Sequence, residues 1–332
     1  MKRPIVIKLG SSLVVDDDVV RGRSAEIGDL VRAGTPVCVV SSGAVALGLR
    51  GMGVERRPGS LPRLQAASAL GQPLLQRRWE DALAAHNVQA AQVLLTAAEI
   101  ADRRAYVNAR NTLDELHRAG VVPVVNENDA TATDEISFGD NDALAAQVAV
   151  LVRARLLVLL TSVQGVLDRY ASVIADGAGA RSALFGPGSA FGKGGMESKV
   201  AAAELAAAAG IPTVIASGTE PLSAVLAEGG TRFQAAVTGE SAFKLWLRFG
   251  KRVTGRMYAD AGAEHAVRHA GGSLLAVGVV RCEGPVRAGD GVELCGVDGT
   301  PFGRGISSLD AAELAARPPN VEAVHRDRLI LY

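Results

Sequence analysis

Five short stretches of this 332-residue sequence place charge, amide and glycine where they could act together. Lys8-Leu9-Gly10-Ser11-Ser12 closes an aliphatic run with a cation beside a tight turn, and backbone amides next to a point charge suit a triphosphate. It lacks the G-x-x-x-x-G-K-[ST] spacing of ordinary P-loops, and a solvated surface lysine is the plain alternative. Ser41-Ser42-Gly43-Ala44 combines a glycine that permits close backbone approach with Ser42, a donor for a carboxylate near a helix start. A simple serine cap explains it equally well. Asn126-Glu127-Asn128-Asp129 and Gly139-Asp140-Asn141-Asp142 are two amide-and-carboxylate clusters that together would seat a zwitterion, carboxylates on its ammonium and amides on its carboxyl. An Asx-turn followed by a cap at Asp140 or Asn141 is the structural alternative, and the ligand order of an EF-hand is missing. Finally, Gly192-Lys193-Gly194-Gly195-Met196-Glu197-Ser198-Lys199 is a glycine-rich loop feeding an alanine-rich helix. Lys199 then falls in the first turn, where a cation is unfavourable unless something negative is bound.

None of the five histidines lies in these stretches, and no Ser-His-Asp or metal-ligand spacing occurs. What remains is chemistry that needs charge neutralisation and alignment, such as phosphoryl transfer to an acceptor already ionised.

The elements around these stretches point to one architecture. Aliphatic runs at 5–9, 37–40, 88–95, 121–125, 156–160 and 213–216 alternate with helical patterns such as 64–85, 103–119, 142–152 and 197–209. Alternation of this kind predicts an α/β fold with an open, mostly parallel sheet sandwiched by helices, whose ligands sit at the carboxyl ends of the strands. A composition of 48% hydrophobic but only 4% aromatic residues predicts a core of Ala, Val and Leu. Beyond about residue 250 the chain breaks into short Gly-punctuated segments, which predicts a small β-rich second domain, giving domains 1–250 and 251–332. The 35 basic and 35 acidic residues balance, so net charge recruits neither nucleic acid nor an anionic membrane. Cys38, Cys282 and Cys295 have no paired spacing and read as reduced, structural cysteines of a cytoplasmic protein. No segment approaches the ~20 apolar residues of a membrane helix.

In this order the motifs resemble the amino-acid kinase family, through Val6 to Ser12, Ser41 to Ala44, Pro123 to Asp129, Gly139 to Asp142, Gly194-Gly195-Met196 and Lys199. Within it the match narrows to members that phosphorylate the γ-carboxylate of L-glutamate. The tail resembles the PUA domain, through Asp260 to Ala263, Gly272 to Leu275, Gly289-Asp290 and Ala323 to Asp327. The resemblance implies catalytic roles for Lys8 and Lys199, and ATP contacts from Lys8, Gly10, Ser11, Thr161, Ser162, Lys193, Gly194, Gly195, Met196 and Lys199. Glutamate would be bound by Ser42, Gly43, Asn126, Asp129, Asp140, Asn141 and Asp142. ATP is the implied co-substrate, with Mg2+ held mainly by ATP and water; no protein metal ligand is implied.

Three positions depart from the family pattern. Ser162 stands where aspartate is usual, an Asp-Pro-Arg stretch after Gly165 is missing, and Lys193 replaces a small hydroxyl residue. All three concern the nucleotide side. The resemblance also implies a homo-oligomer and proline as a feedback inhibitor. Sibling activities on acetylglutamate, aspartate or carbamate are the alternatives, although the carboxylate clusters favour a free ammonium group. An RNA-binding or regulatory relative with a degenerate nucleotide site is another. Against RNA, residues 253–332 carry eight arginines, no lysine and ten acidic residues, a net −2 with histidines neutral.

Overall fold

The computed structural model describes residues 2–54, 56–96, 99–100, 102–131, 140–180, 195–236, 242–249, 251 and 253–332. Contacts divide the chain into two units, Met1–Gly239 and Glu240–Tyr332.

The first unit is built on a seven-stranded sheet. Its strands are β1 (Ile5–Leu9), β2 (Val37–Ser41), β3 (Ala90–Leu95), β4 (Val122–Glu127), β5 (Leu156–Thr161), β6 (Thr213–Ser217) and β7 (Thr231–Phe233), in the order β3-β4-β2-β1-β5-β6-β7. All neighbours are parallel except β7, which runs antiparallel on the edge. The six aliphatic runs are thus the six parallel strands. A three-residue edge strand such as β7 is too short to show periodicity.

Helices α1 (Ser11–Val14), α2 (Asp17–Arg32), α3 (Ala44–Gly51), α4 (Leu61–Ala84), α5 (Arg103–Arg118), α6 (Asp140–Leu151), α7 (Gly195–Ala208) and α8 (Leu222–Ala227) connect the strands. The start of α2 is set by Asp16, whose carboxylate accepts from the Asp18 and Val19 amides. Alternation along β1 decides what each face receives. Ile5, Ile7 and Leu9 pack with Val20 and Ile27 of α2 and Leu75, Trp79 and Leu83 of α4. Lys8 therefore faces the other side of the sheet, toward α6, which explains how a lysine occupies a central buried strand. Helices α6 and α7 pack closely there through small buried residues, including Ala145, Ala149, Ala202 and Ala206.

The second unit begins with α9 (Ala242–Phe249), whose Leu247 is buried with Ile306 and Ile330. The division between units thus precedes this helix, whereas the change in composition follows it; a packing partner, not composition, decides which unit a segment joins. The rest comprises β8 (Val253–Ala259), α10 (Ala261–His269), β9 (Leu274–Leu275), β10 (Val279–Glu283), β11 (Gly291–Cys295), β12 (Pro301–Ile306), α11 (Ala311–Ala315), β13 (Glu322–Val324) and β14 (Leu329–Leu331). Five strands form a mixed sheet, β10-β8-β11-β12-β14, and β9 pairs with β13. Met257, Val292, Leu294 and Phe302 centre its core. The expected β-rich tail is therefore present.

Cys38, Cys282 and Cys295 are free, and burial pushes the Cys38 thiol up to about 12, as befits a small core residue. Among the described residues no helix is long and apolar enough to cross a membrane.

Candidate active site

The parallel register aligns the strand ends. Leu9 pairs with Ser41 on one side and Leu160 on the other, and the Ser42 amide donates to the Leu9 carbonyl at 3.1 Å. Gly218 donates to Thr161 at 2.7 Å and Asn128 to Leu95 at 3.0 Å. Lys8, Ser42, Asn126 to Asp129, Thr161 and Ser162 consequently lie along one carboxyl edge. In such sheets ligands bind there, at the point where strand order reverses.

At that edge two lysines from opposite halves of the unit meet on one carboxylate. Lys8 of β1 pairs with Asp142 Oδ1, and Lys199 Nζ of α7 lies 3.2 Å from Asp142 Oδ2. Ser198 Oγ donates to the same Oδ2 at 2.7 Å, and Lys199 Nζ also donates to the Gly195 carbonyl at 3.1 Å. All three charges are buried, with Asp142 0%, Lys8 3% and Lys199 8% exposed. Burial lowers the Lys8 ammonium's pKa, the Lys199 charge lowers it further, and Asp142 opposes both. Burial by itself would raise the Asp142 carboxyl, but the two ammonium groups and the Ser198 hydroxyl hold it below the usual carboxylate range. Among the described residues two cations and one anion leave a buried positive excess. Such a cluster attracts an anion, and the cations are already aligned for it.

Asp142, expected among the substrate residues, thus has its carboxylate engaged by both lysines. Helix α7 begins at Gly195, so Gly195 and Met196 are helical and Lys199 stands in the second turn, not the first. Lys193, Gly194 and Gly139 lie outside the described residues, as does the side chain of Asp140. Gly10 precedes α1, whose first amides have no intrahelical acceptor. Thr161 and Ser162 stand at the end of β5 next to β1.

A second group surrounds the β2 and β4 ends. Gly43 has φ 111°, in the left-handed region, and a Cβ there would sit 3.3 Å from Val14 Cγ1. Glycine is required to turn Ser42 into α3. Asn126 is buried and accepts from the following Glu127 amide at 2.9 Å, an internal brace for the turn. Asp129 is buried and accepts from Ser68 Oγ of α4 at 2.6 Å. Asn141 Oδ1 is buried with no hydrogen-bond partner among the described residues, an acceptor that a ligand's N–H would satisfy.

Sequence reasoning missed the contribution of α4. Gln72 Nε2 donates to the Glu127 carbonyl at 3.1 Å, and Trp79 Nε1 donates to Ser41 Oγ at 3.0 Å. Ser41 Oγ in turn donates to the Ser42 carbonyl at 3.1 Å. The available signal is a set of polar residues, Ser68, Gln72 and Gln76, at core-facing helical positions.

Residues 3–217 match the amino acid kinase family, and residues 255–318 match the PUA domain. Glutamate 5-kinase of Burkholderia vietnamiensis is 40% identical over 361 residues, covering 98% of this chain and 97% of that protein. Glutamate 5-kinase of Mycobacterium avium is 41% identical over 329 residues, covering 94% and 90%. Among solved structures, a Giardia carbamate kinase superposes with a TM-score of 0.53 at 18% identity, covering 70% of this chain and 99% of that one. At that identity the likeness is one of fold.

Proposed function

Because the chain belongs to the amino acid kinase family, we propose that it transfers the γ-phosphoryl group of ATP to the γ-carboxylate of L-glutamate, giving L-glutamyl 5-phosphate and ADP, the first step of proline biosynthesis. The observation that carries this is the meeting of Lys8 and Lys199 on Asp142. A carboxylate oxygen attacks the γ-phosphorus while the bond to the bridging oxygen of ADP breaks, so negative charge spreads over the transferring oxygens. Lys8 and Lys199 stabilise that charge from two sides, and Asp142 keeps their ammonium groups converged. No base is needed, since the acceptor is already ionised. Near-full-length similarity to glutamate 5-kinases supports glutamate over the sibling substrates.

Glutamate would be held by Ser42, Gly43, Asp129 and Asn141, with Asn126 bracing the turn. ATP would lie along Gly10, Ser11, Thr161, Ser162 and the start of α7, with Lys193 and Gly194 closing over the phosphates. Mg2+ would be carried by the phosphate oxygens and water. A cytoplasmic homo-oligomer inhibited by proline fits the same reading, proline being a smaller zwitterion for the glutamate seat. The net −2 of residues 253–332 speaks against nucleic acid as a partner of that segment.

The test is formation of γ-glutamyl hydroxamate from glutamate, ATP and Mg2+ with hydroxylamine present. Lys199→Ala is expected to lower kcat by roughly 10²–10³-fold. Wild type that makes no hydroxamate, or a Lys199→Ala variant as fast as wild type, ends the assignment.

A further inference from the structure

The buried polar face of helix α4 grips the amino-acid side of the site. Ser68, Gln72 and Trp79 share one face of the helix and reach Asp129, the Glu127 carbonyl and Ser41 respectively. The helix is held rigidly against α3, because a Cβ at Gly71 would lie 1.8 Å from the Ala44 carbonyl oxygen. Whatever α4 grips is therefore fixed relative to Gly43 and the start of α3.

Ser68 makes the most telling of these contacts. A serine inside a helix ordinarily turns its hydroxyl to the carbonyl one turn back or to water. Here the side chain is 1% exposed and donates to a carboxylate 61 residues away, at 2.6 Å, the length of a charge-assisted O–H···O⁻ bond. Asp129 follows β4 on a turn, and a carboxylate on a turn needs a rigid donor to hold its plane. Resting on the assignment of a glutamate seat above, we propose that Ser68 is a positioning residue for the amino-acid substrate: it orients the Asp129 carboxylate toward the substrate's ammonium group. A relay of hydrogen bonds from Trp79 to Ser41 to the Ser42 carbonyl ties the end of β2 to the same helix.

The experiment compares wild type, Ser68→Ala and Ser68→Thr by hydroxamate formation, varying glutamate and ATP separately from pH 5 to pH 9. Loss of a hydrogen bond to a charged group predicts a KM for glutamate about 10-fold higher in Ser68→Ala. The KM for ATP should stay constant and kcat should fall less than about threefold, since phosphate stabilisation is untouched. With the Ser68 hydrogen bond removed the Asp129 carboxyl becomes less acidic, so the acid limb of kcat/KM for glutamate moves to higher pH. Ser68→Thr, which keeps the hydroxyl, should restore both the KM and the limb. An unchanged glutamate KM in Ser68→Ala overturns the role, as does an equal loss in both variants spread over kcat and both KM values, which marks general damage. Wild type that forms no hydroxamate overturns the glutamate assignment and this role with it; active wild type with an indifferent Ser68→Ala overturns this role alone.

Discussion

Substituting Asp142→Asn isolates the charge at the centre of the site. The amide keeps the carboxylate's shape and can still accept from Ser198, but it no longer neutralises Lys8 and Lys199, which are 3% and 8% exposed. Removing one partner of a buried ion pair costs about 3–5 kcal/mol, because the remaining charge is left buried and uncompensated. For a unit the size of Met1–Gly239, each kcal/mol corresponds to ~2–4 °C, so the apo variant should melt roughly 6–20 °C below wild type at neutral pH. The loss is bounded because a buried lysine can shed its proton, and burial and Lys199 already lower the Lys8 pKa. With Asp142 gone that pKa falls further below its unfolded value near 10.4. The folded variant then binds fewer protons than the unfolded chain, so its deficit should shrink as pH rises toward that value. A non-hydrolysable ATP analogue with Mg2+ should narrow the gap as well, since the triphosphate supplies the missing negative charge. Thermal unfolding followed by circular dichroism at pH 7 and pH 9, with and without the analogue, measures all of this. If the variant melts together with wild type, or its deficit is indifferent to both pH and nucleotide, the two lysines do not depend on Asp142 and the mechanism above is wrong.

Gly48→Ala should open the α3–α4 contact, since its Cβ would lie 1.7 Å from the Ala67 carbonyl oxygen. Overpacking of this kind costs ~1–3 kcal/mol, visible in denaturant titration, and should raise the glutamate KM by disturbing Ser42 and Ser68 together. His117 is 6% exposed, and among the described residues neither ring nitrogen has a hydrogen-bond partner of good geometry; burial lowers its pKa, which the Asp114 charge and the Val37 backbone only partly oppose. His117→Leu should therefore stabilise by ~1–3 kcal/mol at pH 7. The gain should be larger at pH 5, because below about 6.5 the unfolded wild type takes up a proton that the folded chain refuses; equal stabilities at both pH values in urea titrations refute this. Cys38, 0% exposed with its thiol pushed up to about 12, should resist a thiol reagent in the native protein, and prompt labelling would show the core is less closed than described.

Much of the architecture is legible along the chain because it is written in local pattern. Residues 5–9, 37–40 and 156–160 are apolar runs, broken only by Lys8, and strands buried on both faces tolerate them. Polar residues at the ends of such runs mark the carboxyl edge and drew attention to Lys8, Ser42 and Asp129 without coordinates, as the glycine-rich loop before a helix did to Lys199. The edge strand β7 and the allegiance of α9 could not, since one is too short for a pattern and the other is decided by Ile306 and Ile330 far along the chain.

The sequence by itself determined which residue types stand at the strand ends, and hence that the protein handles phosphate and a small zwitterion. Only the tertiary structure decided that Lys8 and Lys199 share Asp142, and that Ser68 of a distant helix holds Asp129. The reason is physical. Spacing along a chain encodes which face of its own strand or helix a side chain occupies, whereas convergence of side chains depends on strand order and crossovers, which bring together residues 57 and 61 positions apart.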